Sequence, residues 1–321
     1  MSTALAPYEH RMSGAASRRA FLALAAGAPA AVAGCGGRSG PRARLRLAAG
    51  EAGGAYEVLG RRFADELRRR GLDARVLRTS GSVENLAMLA DGRAELGFSL
   101  ADSADRAVLA EHRPVAALAR MYMNYVHLVV LAGSPVRSPA DLAGRRVSIG
   151  AALSGTAVSA ERVLAAARLR RPAVVSTLGL DASARALRAG RVAAFFWSGG
   201  VPTPALAAFA RATPVRLLPL DGLVAPLRRA HGPVYEHAAV PAGEYGGAGP
   251  VPTVGTPSYL VCRASLPGDV AFTVTRILFA SRDRLEAPDA PGGRLDRRYA
   301  IGTGAVPLHP GAARYYRSTY G

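Results

Sequence analysis

The sequence predicts a two-lobed α/β protein with a parallel sheet in each lobe, a ligand cleft between the lobes and two strands crossing from one lobe to the other. Three observations carry that expectation. A strand–helix–strand–helix–strand unit occurs twice, between residues 45–98 and 146–197. An apolar, β-branched run follows each copy, Tyr125–Leu131 after the first and Tyr259–Cys262 after the second. About 285 residues follow position 35, enough for two lobes with separate cores.

The elements follow in order. Leu45–Ala48 reads as a strand that runs through glycine-rich GEAGGAY into a helix whose apolar stripe is Tyr56, Leu59, Phe63 and Leu67. DARVLRTS is strand-like, Val83–Ala90 helical and closed by Gly92, and Ala94–Phe98 a strand. In the second copy, strand Arg146–Ile149 enters ALSGTAVS, and a helix runs through Val163, Leu164 and Ala167. A strand Ala173–Leu178, a helix Asp181–Ala189 and a strand Val192–Trp197 complete it. Gly92-Arg93 and Gly190-Arg191 sit at equivalent helix ends, where glycine caps. Strands alternating with helices argue for parallel sheets. Ser138 followed by Pro139 marks a helix start. The two apolar runs are read as the crossing strands, with about 60 C-terminal residues returning to the first lobe. The expected division is 45–126 with 257–321 as lobe I, and 127–256 as lobe II.

The N-terminus addresses the chain for export. Ser17-Arg18-Arg19-Ala20-Phe21-Leu22 opens an apolar stretch to Ala33, and Val32-Ala33-Gly34-Cys35 resembles a lipobox. Residues 1–34 are therefore a twin-arginine signal, Cys35 the lipidated residue and 35–44 a linker, which anchors the protein to the outer face of the cell membrane. An uncleaved anchor helix is the competing reading, against which the stretch is shorter than the ~20 residues a bilayer needs. Cys262 then has no intramolecular partner and reads as a buried small hydrophobe.

The formal charge of +18 falls to +16 once Arg11, Arg18, Arg19 and Glu9 are removed (18 − 3 + 1). Every cation is arginine, because the chain contains no lysine, and this excludes a P-loop lysine and a Schiff base. With 6% aromatic residues the chain has few stacking platforms, so nucleic acid is not an expected partner.

GGAY, SGSVEN and SGTAV all stand at strand-to-helix junctions, where ligands bind in open α/β sheets. Small hydroxyls and free N–H groups there make an anion cradle without a buried cation. Ordinary N-capping by Ser82 and Ser154 is the competing reading, and equivalent junctions in both copies weigh against it.

These stretches, with TSGSVENLAMLADGRAELGF, YVHLVV, SPADLAGRRVSIGAALSGTAVSAERVL, AAFFWSGGVPTPAL, VRLLPLDG, VPTVGTPSYLV and VPLHPGAARYY in this order, resemble the TAXI family. Its members are the solute-binding proteins of one class of TRAP transporter. The resemblance implies a type II-like periplasmic-binding-protein fold with two hinge strands. It implies capture of a small anionic solute, a glutamate- or glutamine-like amino acid or a dicarboxylate, for a TRAP-type permease. The positions it marks for ligand binding are Gly54, Tyr56, Ser80, Ser82, Asn85, Asp102, Tyr122, Ser154, Gly155, Thr156, Trp197 and Pro202. Glu57, Leu100 and Tyr122-Met123-Asn124-Tyr125 depart from the family's usual pattern, and Glu57 and Leu100 imply a more acidic and more apolar pocket.

For several of these residues two readings stand. Trp197 and Tyr56 either cover a ligand or fill core. Asp102 accepts a ligand ammonium, holds a tyrosine hydroxyl or caps a helix. His231, Glu236 and His237 match no zinc spacing, and His309 orders a turn. GxSxG, HExxH and a dinucleotide fingerprint are all missing, so neither a cofactor nor enzyme activity is expected. A ligand-presenting sensory module is the alternative to transport, with a hydrolase using a cleft serine behind it. A monomer is expected.

Overall fold

The structure, a computed structural model, describes residues 44–285 and 295–320. The twin-arginine segment, the lipobox and Cys35 lie outside the described residues. The first copy builds β1 (Arg44–Ala48), α1 (Ala55–Arg69), β2 (Asp73–Leu77), α2 (Ser82–Ala90) and β3 (Leu96–Leu100). Helix α3 (Ala101–Leu109) and the long β4 (Val115–Leu131) lead to the second copy. That copy is β5 (Arg146–Ser148), α4 (Gly155–Ala166), β6 (Val174–Ser176), α5 (Leu180–Arg188) and β7 (Ala194–Gly199). Next come α6 (Pro204–Ala212), β8 (Val215–Leu217), α7 (Val224–His231), β9 (Glu236–Val240) and the long β10 (Val251–Arg263). The chain closes through α8 (Gly268–Ala280), α9 (Arg282–Leu285), α10 (Arg297–Ala300) and α11 (Pro310–Tyr320).

The two copies match bond for bond at their second helices. Gly92 and Gly190 stand at φ of 68° and 67°, a region open to glycine and strained for other residues. After each, an arginine N–H returns to the helix: Arg93 to the Met88 carbonyl at 2.8 Å and Arg191 to that of Ala186 at 2.9 Å. Each chain then turns onto its sheet, where the Glu95 N–H reaches the Arg46 carbonyl at 3.0 Å and the Ala193 N–H that of Arg146 at 2.8 Å.

Element order corrects one expectation. SGSVEN opens the second helix of the first copy, whereas SGTAV opens the first helix of the second copy, so the two junctions are not equivalent. The counterpart of SGTAV is GGAY. Two Ser-Gly pairs before a helix are similar local chemistry, and only the order of elements separates them.

All ten strands among the described residues share one sheet, in the order β2-β1-β3-β10-β4-β7-β5-β6, with β8 on β4 and β9 on β10. The outer triplets are parallel, β1 between β2 and β3, and β5 between β6 and β7. β4 and β10 run antiparallel at the centre. β4 pairs with β10 from Val115 to Tyr125 and with β7 from Tyr125 onward. β10 pairs with β9 up to Gly255 and with β3 from Ser258. These two strands serve both parallel triplets, one triplet per lobe.

Helices cover both faces of the sheet, as parallel strands buried on both sides require. In the first lobe Phe63 and Leu67 of α1, Val274 and Leu278 of α8 and Tyr315 and Tyr316 of α11 share one core with Leu45 and Leu47. The Tyr316 hydroxyl donates to the Leu118 carbonyl at 2.8 Å. In the second lobe Leu180 and Leu187 of α5 and Leu206 of α6 pack with Phe195 and Trp197. A third core is continuous across both lobes, from Leu86 and Leu89 through Ala101 and Ala104 to Ala157, Val163 and Tyr235. The expected separation of cores therefore fails where α3 meets α4. Cys262 is fully buried and its thiol is pushed up to about 12 by burial, in keeping with a packing role.

Candidate functional site

Three of the strand-to-helix junctions meet at the seam between the lobes. Gly50, Glu51, Gly54, Ala55 and Tyr56 come from the turn into α1, and Ser80, Gly81 and Ser82 from the turn into α2. Ser154, Gly155 and Thr156 enter from the turn into α4, and Leu100, Asn124 and Trp197–Gly199 come from the strands behind them. Together they line a partly open cavity of about 40 Å³. The first turn of a helix leaves N–H groups without intrahelical partners, so three helix N-termini present partial positive charge here.

Close approach explains one glycine, Gly155, and backbone conformation another, Gly81. Gly81 takes φ 123°, and a Cβ there would lie 3.6 Å from the Cα of Ser154. A Cβ on Gly155 would fall 2.5 Å from Ser82 Oγ and 2.8 Å from Leu100 Cδ1. Beside it the lobes meet backbone to backbone, where the Glu84 N–H donates to the Leu153 carbonyl at 3.0 Å.

The hydroxyls are already in use as acceptors. Ser154 Oγ caps α4 by accepting from the Ala157 N–H at 3.0 Å, the bland alternative for that residue. Ser82 does not cap its helix; its Oγ accepts from the Leu100 N–H at 3.0 Å. Thr156 Oγ1 accepts from the Ser198 N–H at 3.1 Å. Each keeps one proton to donate. Trp197 donates its indole N–H to Thr203 Oγ1 at 2.8 Å and turns a ring edge toward Gly54, so the ring both packs and lines the cavity.

Groups without a protein partner lie beside these. Asn124, 1% exposed on β4, has no acceptor for its Nδ2. Ser198 Oγ is likewise buried and unpartnered. The Tyr56 ring stacks on Phe98, and burial pushes its phenol well above the ordinary range.

Glu51 supplies the one carboxylate among the lining residues, and no arginine lines the cavity. Its Oε2 accepts from the N–H of Leu180, at the start of α5, at 2.9 Å. Burial raises its pKa, the Leu180 N–H opposes that, and the charge of Asp181 adds to it.

Eight of the twelve residues marked in the sequence line the cavity: Gly54, Tyr56, Ser80, Ser82, Ser154, Gly155, Thr156 and Trp197. Four do not. Asn85 is fully buried and ties the sheet together, its Nδ2 donating to the carbonyls of Ala49 at 2.7 Å and Phe98 at 2.8 Å. Asp102 is fully buried on α3, holding the hydroxyls of Ser159 and Tyr235, each at 2.9 Å. The Tyr235 bond matches the tyrosine-hydroxyl reading of Asp102. Tyr122 lies behind Tyr56, ring edge to ring face at 6.4 Å. Pro202 follows the cavity wall by three residues. Glu57 does not acidify the pocket, since it is buried against Arg61 on α1; Leu100 does line it.

Sequence reading missed Glu51, Asn124 and Ser198. Glu51 lies within the glycine-rich turn GEAGGAY, Asn124 within the segment that departs from the family pattern, and Ser198 within AAFFWSGGVPTPAL. His231 packs edge-on to Tyr235, Glu236 pairs with Arg120 at 2.9 Å, and His309 Nδ1 accepts from the Gly311 N–H at 3.1 Å within its turn. Among the described residues no group of three His, Cys, Asp or Glu is set to hold a metal, and no helix is long and apolar enough to cross a membrane.

Solved structures share this architecture at low identity. A protein from Bordetella bronchiseptica RB50 superposes with a TM-score of 0.54 at 16% identity, over 86% of this chain and 89% of its own. The substrate-binding protein of an amino acid ABC transporter gives 0.46 at 14%, over 75% and 96%. The periplasmic aliphatic sulphonate-binding protein SsuA from Escherichia coli gives 0.46 at 16%, over 87% and 84%. The Bordetella likeness shows the fold alone, a two-lobed α/β architecture built on one sheet. The sequence profile of the NMT1-like family matches residues 47–319, nearly the whole of the described structure, and the chain belongs to that family.

Proposed function

We propose that this protein is an extracytoplasmic solute-binding lipoprotein that captures a small anionic solute between its lobes and delivers it to a TRAP-type permease of the TAXI class. In this reading residues 45–126 with 257–321 form one lobe and 127–256 the other, Cys35 carries the lipid anchor, and the protein acts as a monomer without catalysis. One observation carries it: three helix N-termini and the buried, unpartnered amide of Asn124 converge on a cavity at the seam of the lobes. That is the chemistry of a carboxylate cradle.

The lining favours a glutamate- or glutamine-like amino acid over a dicarboxylate. A carboxylate is served by the helix N-termini, and an ammonium group complements Glu51. A second carboxylate without an ammonium meets no arginine and faces the Glu51 charge. A hydrolytic reading is weaker, because the cleft serines accept from backbone N–H groups and the lining residues include no histidine.

Mass spectrometry of solute that copurifies with the protein tests this, followed by calorimetry against glutamate, glutamine and small dicarboxylates. Saturable binding of an amino acid with no response to dicarboxylates is expected. Failure of every small acid to bind overturns the reading. Cys35→Ala is expected to release the protein from membranes, and retention after a high-salt wash would remove the anchor from it.

A further inference from the structure

We propose that the two lobes are held together by reciprocal helix capping, with the Glu51 carboxylate of the first lobe capping α5 of the second and the Leu153 carbonyl of the second capping α2 of the first. A helix N-terminus is ordinarily capped by the residue just before it. Neither of these helices has such a cap. Gly81 and Gly179 occupy the two N-cap positions and offer no side chain. The missing acceptors come from far along the chain. Glu51 Oε2 takes the Leu180 N–H at 2.9 Å across 129 residues of sequence. The Leu153 carbonyl takes the Glu84 N–H at 3.0 Å.

The arrangement follows the internal repeat. Glu51 lies in the turn before α1, the first helix of its copy, and Leu153 in the turn before α4, the first helix of the other. Each such turn serves the second helix of the opposite copy. Leu153 takes φ 62°, an uncommon conformation for a non-glycine residue, with its side chain largely exposed. The position is set by where its carbonyl points, since little of its side chain is buried. Gly179 leaves room for the carboxylate, since a Cβ there would lie 2.6 Å from Glu51 Oε2.

The consequence rests on the solute-binding reading. Both caps cross between the lobes beside the cavity, so parting the lobes to admit a solute requires their release. The caps then set how often the cleft opens. Their existence as a latch is independent of any solute.

Hydrogen exchange on the full chain in detergent, with no solute added, decides between a latch and two local caps. In Glu51→Ala the reporter is the Glu84 amide, on the other arm. Releasing a charge-assisted bond is expected to speed its exchange roughly tenfold or more, with amides of α8 unchanged. Glu51→Gln keeps a neutral acceptor and is expected to fall between. Leu153→Pro forces φ negative and removes the second arm without touching Glu51, and is expected to speed exchange at Leu180. Acceleration confined to the arm that was mutated overturns the latch, as does no acceleration at all. Should Glu51→Ala speed α8 as well, global unfolding is the cause, and the Leu180 amide in Leu153→Pro decides. Because no solute takes part, failure of the latch leaves the solute-binding reading standing, and failure to bind any solute leaves the latch standing.

Discussion

Asp102 Oδ2 accepts the hydroxyl of Tyr235 at 2.9 Å, joining α3 of the first lobe to the segment after α7 in the second. The same oxygen takes the Ser159 hydroxyl at 2.9 Å, and the Arg162 guanidinium lies 3.9 Å away. Arg162 in turn donates to the Tyr235 oxygen at 2.9 Å. A fully buried carboxylate is tolerated because these groups surround it. Tyr235→Phe leaves one bond to the carboxylate unmade and is expected to cost about 1–3 kcal/mol. Asp102→Ala strands a partly buried arginine and is expected to cost about 3–5 kcal/mol. Urea unfolding measures both, and a smaller loss for Asp102→Ala than for Tyr235→Phe would refute the ordering.

Asp105, one turn along α3, gives a pH signature. Burial pushes its carboxyl up to about 6; accepting the Ala305 N–H opposes this, and the charge of Asp102 adds to it. A value raised above the ordinary 3.8 means the folded protein binds the proton more tightly. The contribution to stability is complete below pH 3.8 and is lost as pH rises through about 6. Asp105→Asn is therefore expected to be more stable than the parent at neutral pH, with the difference vanishing in acid. Equal differences at both pH values would contradict the assignment.

His127 on β4 behaves in the opposite sense. Burial lowers its pKa to about 4, so the folded state holds the neutral ring, with Nδ1 3.3 Å from the Trp197 carbonyl. Its contribution is present above pH 6.5 and is lost as pH falls toward 4. His127→Gln is expected to flatten the loss of stability between those values, measured by melting temperature against pH.

Much of this fold was legible because parallel strands and their helices write periodic, glycine-punctuated patterns. Gly92 and Gly190 marked equivalent helix ends, and the apolar runs at Tyr125 and Tyr259 marked the central strands. The first half of β4 was missed, since its apolar VAALA is short and alanine-rich and RMYMN breaks the run with Arg120 and Asn124. The site was legible where a junction motif faces the cleft. It was not legible for Asn85 and Asp102, polar residues whose partners are carbonyls and hydroxyls brought in from elsewhere. Nor was it for Glu51, whose partner lies 129 residues away.

Gly155 gives a prediction whose sign is informative. In a helix, Gly→Ala ordinarily stabilises by up to ~1 kcal/mol. Here the new Cβ would lie 2.5 Å from Ser82 Oγ and 2.8 Å from Leu100 Cδ1, so the lobes part or Ser82 moves. Gly155→Ala is expected to enlarge the radius of gyration in small-angle scattering and to weaken solute binding. A more stable variant of unchanged size would mean that the contact at the seam is looser than its geometry implies.

Asn124 separates binding from stability. Its buried Nδ2 has no acceptor in the protein, and an unpaired buried donor costs about 1–3 kcal/mol. Asn124→Leu removes that donor at similar volume, so the folded protein is expected to be as stable as the parent or more so. A solute oxygen that meets the amide in the cavity loses its bond in the variant. Affinity is then expected to fall roughly ten- to a hundredfold, the range for a bond to a charged acceptor. Calorimetry with the solute identified by mass spectrometry gives the affinity, and thermal melting gives the stability. A variant that melts lower yet binds equally well would make Asn124 a structural residue and would leave the cradle to the helix N-termini alone.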